Sequence, residues 1–176
     1  MKIQVSQDTL YEYMLAHNLK MTRLAQLIGK SDDVVTSCFK HHKDIYGKPR
    51  RFNAQHIKSI NQALPQIVTE LQNRLLTFGS NQVYTNQRGT TYDPALIEQL
   101  KELGSYLNIT GVLMRVLGWS KGKKSAVICQ RSSKAYGTIS EADTVAINNE
   151  ILSIIGVLSS YEVIPDDEKG SSSDNN

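Results

Sequence analysis

Leu19-Lys-Met-Thr-Arg-Leu-Ala-Gln-Leu-Ile-Gly29-Lys-Ser-Asp-Asp-Val-Val-Thr-Ser-Cys-Phe-Lys40 is the stretch on which the fold turns. It reads as a helix, a tight turn and a second helix. Leu24, Leu27 and Ile28 recur at i, i+3 and i+4, one face of a helix, and Val34, Val35, Cys38 and Phe39 repeat the pattern after the break. Two short helices therefore share a buried seam. Ala25 is small where a larger side chain would force them apart, Gly29 suits a left-handed exit, and Ser31 is placed to cap the second helix.

Leu24-Ala25, Gly29, Val35 and Cys38 have the spacing of the helix-turn-helix in Xre-like (Cro/phage-repressor, lambda-repressor-like) DNA-binding domains, and the segment resembles that superfamily. The resemblance implies that the second helix enters the major groove of double-stranded DNA while the first crosses the backbone. Carried over, Ser31, Thr36, Ser37 and Lys40 face the bases. The sequence departs from the family at Lys30, where a small apolar residue is usual, and at Asp32 and Asp33, whose carboxylates meet the groove first. Carboxylates beside phosphates repel them unless they accept from a base.

Outward from this segment, Ser6 precedes a helical pattern with Leu10, Tyr11, Met14 and Leu15 on one side, closed by Asn18. Downstream, His41 to Phe52 holds Gly47 and Pro49 in a basic, exposed loop without regular structure. Lys43, Lys48, Arg50 and Arg51 lie in it, where phosphate contacts are commonly made in the family, and Lys48-Pro49-Arg50-Arg51 has the character of a basic arm that probes a minor groove. Asn53 caps the next helix, with Phe52 and Ile57 placed for a hydrophobic staple. Pro65 predicts a boundary or kink, then a fresh helix to Phe78, making five helices in the first unit.

Gly79 to Tyr92 reads as a linker in which Val83-Tyr84-Thr85 and Thr90-Thr91-Tyr92 are able to pair. Asp93-Pro94 opens a second unit with Leu96, Leu100, Leu103 and Leu107 on one face. This unit echoes the first: Leu113 to Gly118 against Leu24 to Gly29, Ser120 against Ser31, Tyr136-Gly137 against Tyr46-Gly47, and Ala146-Ile147-Asn148 against Ser59-Ile60-Asn61. Met114 stands opposite Ala25, and Lys121-Gly122-Lys123-Lys124 predicts a longer turn with its helix over Ser125 to Arg131. Lys121, Lys123, Lys124, Arg131 and Lys134 are the phosphate-contact candidates here, and Trp119 is expected to plug the core. The expected architecture is all-α, as two tandem lambda-repressor-like helix-turn-helix modules: residues 1–78, a linker 79–92, a degenerate second module 93–164, and a disordered tail 165–176.

Charge supports the same division. Residues 1–89 carry 12 Lys/Arg against 6 Asp/Glu, whereas residues 90–176 carry 8 against 11. No apolar run approaches the ~20 residues of a membrane span, and no signal-peptide pattern follows Met1, so the chain is expected to be cytoplasmic with no membrane partner. Cys38 and Cys129 read as buried thiols. Cys38, His41 and His42 share a helix face but fall short of four zinc ligands, so no metal is entered. No phosphate-binding glycine loop, His-Glu-x-x-His or Gly-x-Ser-x-Gly is present; the reading is not an enzyme, with no catalytic residue and no cofactor. The functional expectation is a sequence-specific DNA-binding regulator of prokaryotic or phage type. The alternative is a protein-interaction module that kept the fold, and a homodimer or other protein partner stays open.

Overall fold

The computed structural model describes residues 1–80, 82–85, 87, 89, 91–128 and 139–165, without the side chains of residues 126–128. In chain order the elements are β1 (Ile3–Val5), α1 (Gln7–Ala16), α2 (Met21–Leu27), α3 (Asp32–Phe39), α4 (Ala54–Gln72), β2 (Tyr84–Thr85), β3 (Thr91–Tyr92), α5 (Ala95–Leu103), α6 (Ile109–Leu117), α7 (Lys121–Ile128), α8 (Glu141–Ser160) and β4 (Tyr161–Val163). The molecule is mostly helical. Two short ribbons complete it, β1 parallel to β4 and β2 antiparallel to β3.

The first three helices end alike. Asn18 (φ 60°), Gly29 (φ 68°) and His41 (φ 50°) each take the left-handed conformation after the last turn. The next residue then donates back into the helix: Leu19 N to Met14 O at 2.8 Å, Lys30 N to Ala25 O at 2.9 Å, and His42 N to Ser37 O at 2.9 Å. These bonds satisfy carbonyls that a helix end would otherwise leave open. The starts at Ser6, Ser31 and Asn53 are capped where the sequence places them, on Thr9 N, Val34 N and His56 N, and α8 opens on a reciprocal box between Ser140 and Asp143.

Of the boundary or kink expected at Pro65, the boundary and the fresh helix after it are corrected, because α4 runs from Ala54 to Gln72 as one helix with Pro65 inside it. The residues before α5 thus contribute four helices rather than five. Ile57, Ile60, Ala63, Leu64, Ile67, Val68 and Leu71 form one buried stripe along it. Burying each large aliphatic is worth about 1.5 to 3 kcal/mol, so the stripe outweighs the ~3 kcal/mol an internal proline costs. Thr69 Oγ1 also donates to Pro65 O at 3.0 Å. Helix α7 is a second correction: Lys121-Gly122-Lys123-Lys124 is its first turn, not an extended loop, because Ser120 Oγ accepts from Lys123 N at 3.2 Å and starts the helix. The register of the second half also shifts by one. Val112 and Leu113 are the buried pair of α6, as Leu24 and Ala25 are of α2, while Met114 is exposed. Trp119 is buried as expected.

Both halves of the chain feed one continuous buried cluster from Val5 to Val163, with α4 packed on α8 at its centre. Their contacts are reciprocal. Lys20 N donates to Tyr106 O at 2.8 Å, and Asn108 N to Asn18 O at 2.7 Å, across a bridge between Leu19 and Leu107. Asn61 of α4 clips the backbone of Val163, giving Nδ2 to its carbonyl and taking its N–H on Oδ1, both at 2.8 Å. Asn148 of α8 clips Leu76 in the same way, both bonds again 2.8 Å. Each half thus closes the end of the other half's long helix. Within the stretch read as a linker, Tyr84–Thr85 pairs antiparallel with Thr91–Tyr92, their tyrosine rings 5.9 Å apart. Of the tail expected over 165–176, only Pro165 is among the described residues.

Candidate nucleic-acid interface

Helix α3 is locked on one side and open on the other. Val35, Cys38 and Phe39 are buried, with Phe39 stacked on Tyr11 at 5.0 Å and edge-on to Phe52 at 4.9 Å. The opposite face presents Ser31, Asp32, Asp33 and Lys40 to solvent, with Thr36 and Ser37 half-buried between them. The expected base-facing residues therefore lie on one free face. Asp32 is turned partly away from it, since its Oδ2 accepts from Thr22 Oγ1 of α2 at 2.6 Å. Asp33 has only the helix to answer to, and both acids sit in the first turn, where a negative charge favours the helix dipole. Ser31 spends its hydroxyl on the cap.

The loop after α3 is not irregular, which corrects the reading of Gly47 and Pro49 as breakers. It is a three-residue hairpin. Asp44 N donates to Lys48 O at 2.8 Å, Gly47 N to Asp44 O at 3.0 Å, and Lys43 bridges Pro49 across its base. Gly47 supplies the left-handed residue (φ 77°) that such a loop needs after its type I turn. Asp44 Oδ1 accepts from Tyr46 N at 2.8 Å and Lys48 N at 2.9 Å, turning the loop's one carboxylate inward. Arg50 N donates to His42 O at 2.8 Å and fixes the hairpin to the end of α3. The signal was in the sequence as Asp-x-x-Gly, a type I turn signature.

Lys30, Lys40, Lys43, Lys48, Arg50 and Arg51 are all exposed, and none makes an ion pair among the described residues. Burial pushes the Cys38 thiol up while the Arg50 charge opposes it, which sets Arg50 within electrostatic range of α3. Burial likewise lowers His56, helped by Lys30, so that lysine stands near the start of α4. The cations thus frame α3 at both ends. Cys38 is a free buried thiol, His41 Nε2 lies 2.7 Å from Asp8 Oδ1, and Cys129 is outside the described residues. Among the described residues no group of His, Cys, Asp or Glu side chains is arranged to hold a metal. No described helix is long and apolar enough to cross a membrane.

In the second half, Lys121 is exposed at the start of α7, Lys124 is half-buried, and Lys123 lies over the Trp119 ring with Nζ 4.3 Å from its centroid. Lys123 is therefore partly committed to packing. Arg131 and Lys134 fall outside the described residues. Comparison with protein-family models, curated proteins and solved structures returns no match.

Two carboxylates tie helices together elsewhere in the fold, Glu70 of α4 to Arg23 of α2 and Glu150 of α8 to Arg115 of α6 and to His17. Glu70 takes a two-pronged contact from Arg23, Nε to Oε2 at 2.9 Å, and the hydrogen bond from that guanidinium holds its pKa below the ordinary value. For Glu150, burial pushes the pKa up, but hydrogen bonds from Arg115 and His17, at 2.6 and 2.7 Å, more than offset it and the net direction is down. A carboxyl depressed in the folded state stabilises above its unfolded pKa and loses that contribution as pH falls through the folded value. Glu70→Gln and Glu150→Gln should therefore lower stability at neutral pH, and their unfolding midpoints should converge with the parent's in the acid range. Parallel curves at every pH would refute the assignment.

Proposed function

We propose that this chain is a sequence-specific double-stranded DNA-binding protein, a transcriptional regulator of prokaryotic or phage type, built as two helix-turn-helix modules in tandem. The observation that carries the reading is the set of exposed cations, without carboxylate partners among the described residues, framing a helix whose other face is buried. Such cations release counterions from phosphates, which supplies much of the affinity for a duplex. In this reading α3 is the recognition helix, α2 crosses the backbone, and Thr36, Ser37 and Lys40 meet base edges. The reciprocal contacts of Asn61 with Val163 and Asn148 with Leu76 support a pseudo-symmetric pair that does within one chain what two repressor subunits do together. Lys121, exposed at the start of α7, is the second-half cation that this reading adds to the contact.

Titration against random duplex DNA at two salt concentrations tests the proposal. Binding that weakens steeply with salt is expected; its absence at low salt would leave the protein-interaction alternative in its place. The double variant Asp32→Asn with Asp33→Asn then separates two roles. A rise on every duplex means that the acids only repel phosphates, and loss confined to the preferred site means that they read bases.

A further inference from the structure

We propose that Ile45 and Tyr46, at the tip of the hairpin after α3, form an apolar wedge that enters the minor groove of the bound duplex. This deepens the DNA-binding reading and rests on it. The two side chains are 87% and 80% exposed, far outside the pattern of a chain whose other large apolar groups are mostly in the core. They are adjacent, and the loop holds them out. The bonds of Asp44 with Tyr46, Gly47 and Lys48 fix the turn, and those of Arg50 with His42 and of His42 with Ser37 tie it to α3. The backbone that carries both residues is thus fixed.

Charge identifies the occupant. Lys43 and Lys48 flank the tip, Arg50 and Arg51 stand behind it, and Asp44 has an oxygen turned into the loop. An apolar point ringed by cations fits a surface of phosphates with an apolar interior, the arrangement of base pairs between two backbones. The hairpin is joined directly to the end of α3 through the bonds of His42 with Ser37 and Arg50, so in this reading a duplex held by α3 has the tip beside it. Proteins that enter a minor groove commonly insert such side chains between base steps and kink the duplex. An acidic membrane presents anions over an apolar interior too. Two side chains bury too little there, given that a whole myristoyl chain binds only marginally, and the hairpin is fixed to a helix that presents hydroxyls and acids, not an apolar face.

The test compares the full-length parent with the double variant Ile45→Ser, Tyr46→Ser, whose positions lie outside the core. Duplex binding, the bend of an end-labelled duplex by energy transfer, competition by netropsin, and binding to phosphatidylserine vesicles are measured together. The variant should bind duplex about tenfold more weakly, the scale of losing an aromatic contact with a base, with the salt slope unchanged because no charge is removed. The bend and the netropsin competition should disappear with it. If the parent binds duplex and the variant binds as tightly with the same bend, the wedge is wrong and the DNA reading stands. Lack of duplex binding by the parent overturns both. Vesicle binding lost in the variant, with duplex binding intact, would assign the tip to a membrane instead.

Discussion

Replacing Asn61 and Asn148 together by alanine should destabilise the chain by about 2 to 6 kcal/mol, about 1 to 3 for each clamp, as read by urea unfolding. Each asparagine satisfies both the N–H and the C=O of one buried residue in the other half, Val163 for Asn61 and Leu76 for Asn148. Truncation leaves a donor and an acceptor without their partners, and orphaned groups of this kind carry most of the cost. Leucine, close in size but unable to hydrogen-bond, should be no better than alanine, whereas loss of packing alone would let it rescue. Each clamp ties one of the two long helices to the segment that follows the other, so the double variant should depart from the sum of the singles. Strict additivity, or losses within a few tenths of a kcal/mol, would show that water replaces the clamps without penalty.

The second large effect concerns Arg50 and Arg51. Changing both to alanine should weaken binding to every duplex and lower the slope of log affinity against log salt by about 2, one for each phosphate contact removed. Their side chains are exposed, and the hairpin is built from backbone bonds and Asp44, so the fold should survive the change. Thr36, Ser37 and Lys40 should behave otherwise. They project from a helix fixed by Val35, Cys38 and Phe39, and their replacement should cost about 1 to 3 kcal/mol on a preferred site and less on random DNA. A pair of arginine variants that keeps the parent's salt slope would remove the hairpin from the interface.

These expectations rest unevenly on what the sequence reveals. The segment from Leu19 to Lys40 was legible because its signals are local: a 3.6-residue stripe, a glycine at the left-handed exit and a serine one turn before buried valine all agree. Pro65 misled because propensity is local and burial is not; the stripe through Ile67 and Leu71 that overrides it becomes visible only once α8 is in place. Lys121 to Lys124 misled for the opposite reason, since a polar helical turn has no stripe to read and only the Ser120 cap betrays it. The hairpin is written in Asp44 and Gly47, but a glycine and a proline in a basic loop read equally as breakers, and only the Asp-x-x-Gly spacing marks one turn. The clamps left no sequence signal beyond the alignment of Asn61 with Asn148, because what an asparagine grips depends on the tertiary approach of a distant backbone. Of the surface itself, the exposure of the cations is legible in the sequence, while that of Ile45 and Tyr46 is not, since isolated apolar side chains ordinarily belong to a core.

The parallel ribbon of Ile3–Val5 with Tyr161–Val163 has a consequence for synthesis. A ribosome adding roughly 5 to 20 residues per second delivers the partner of this first strand on the order of ten seconds after the strand itself. Through that interval α4 carries an Asn61 whose Val163 does not yet exist, and β1 is an edge with nothing beside it. At three residues it is too short to template association with a neighbouring nascent chain. A chain released before Tyr161 would lack both the ribbon and the clip of Asn61 on Val163 that ties α4 to β4.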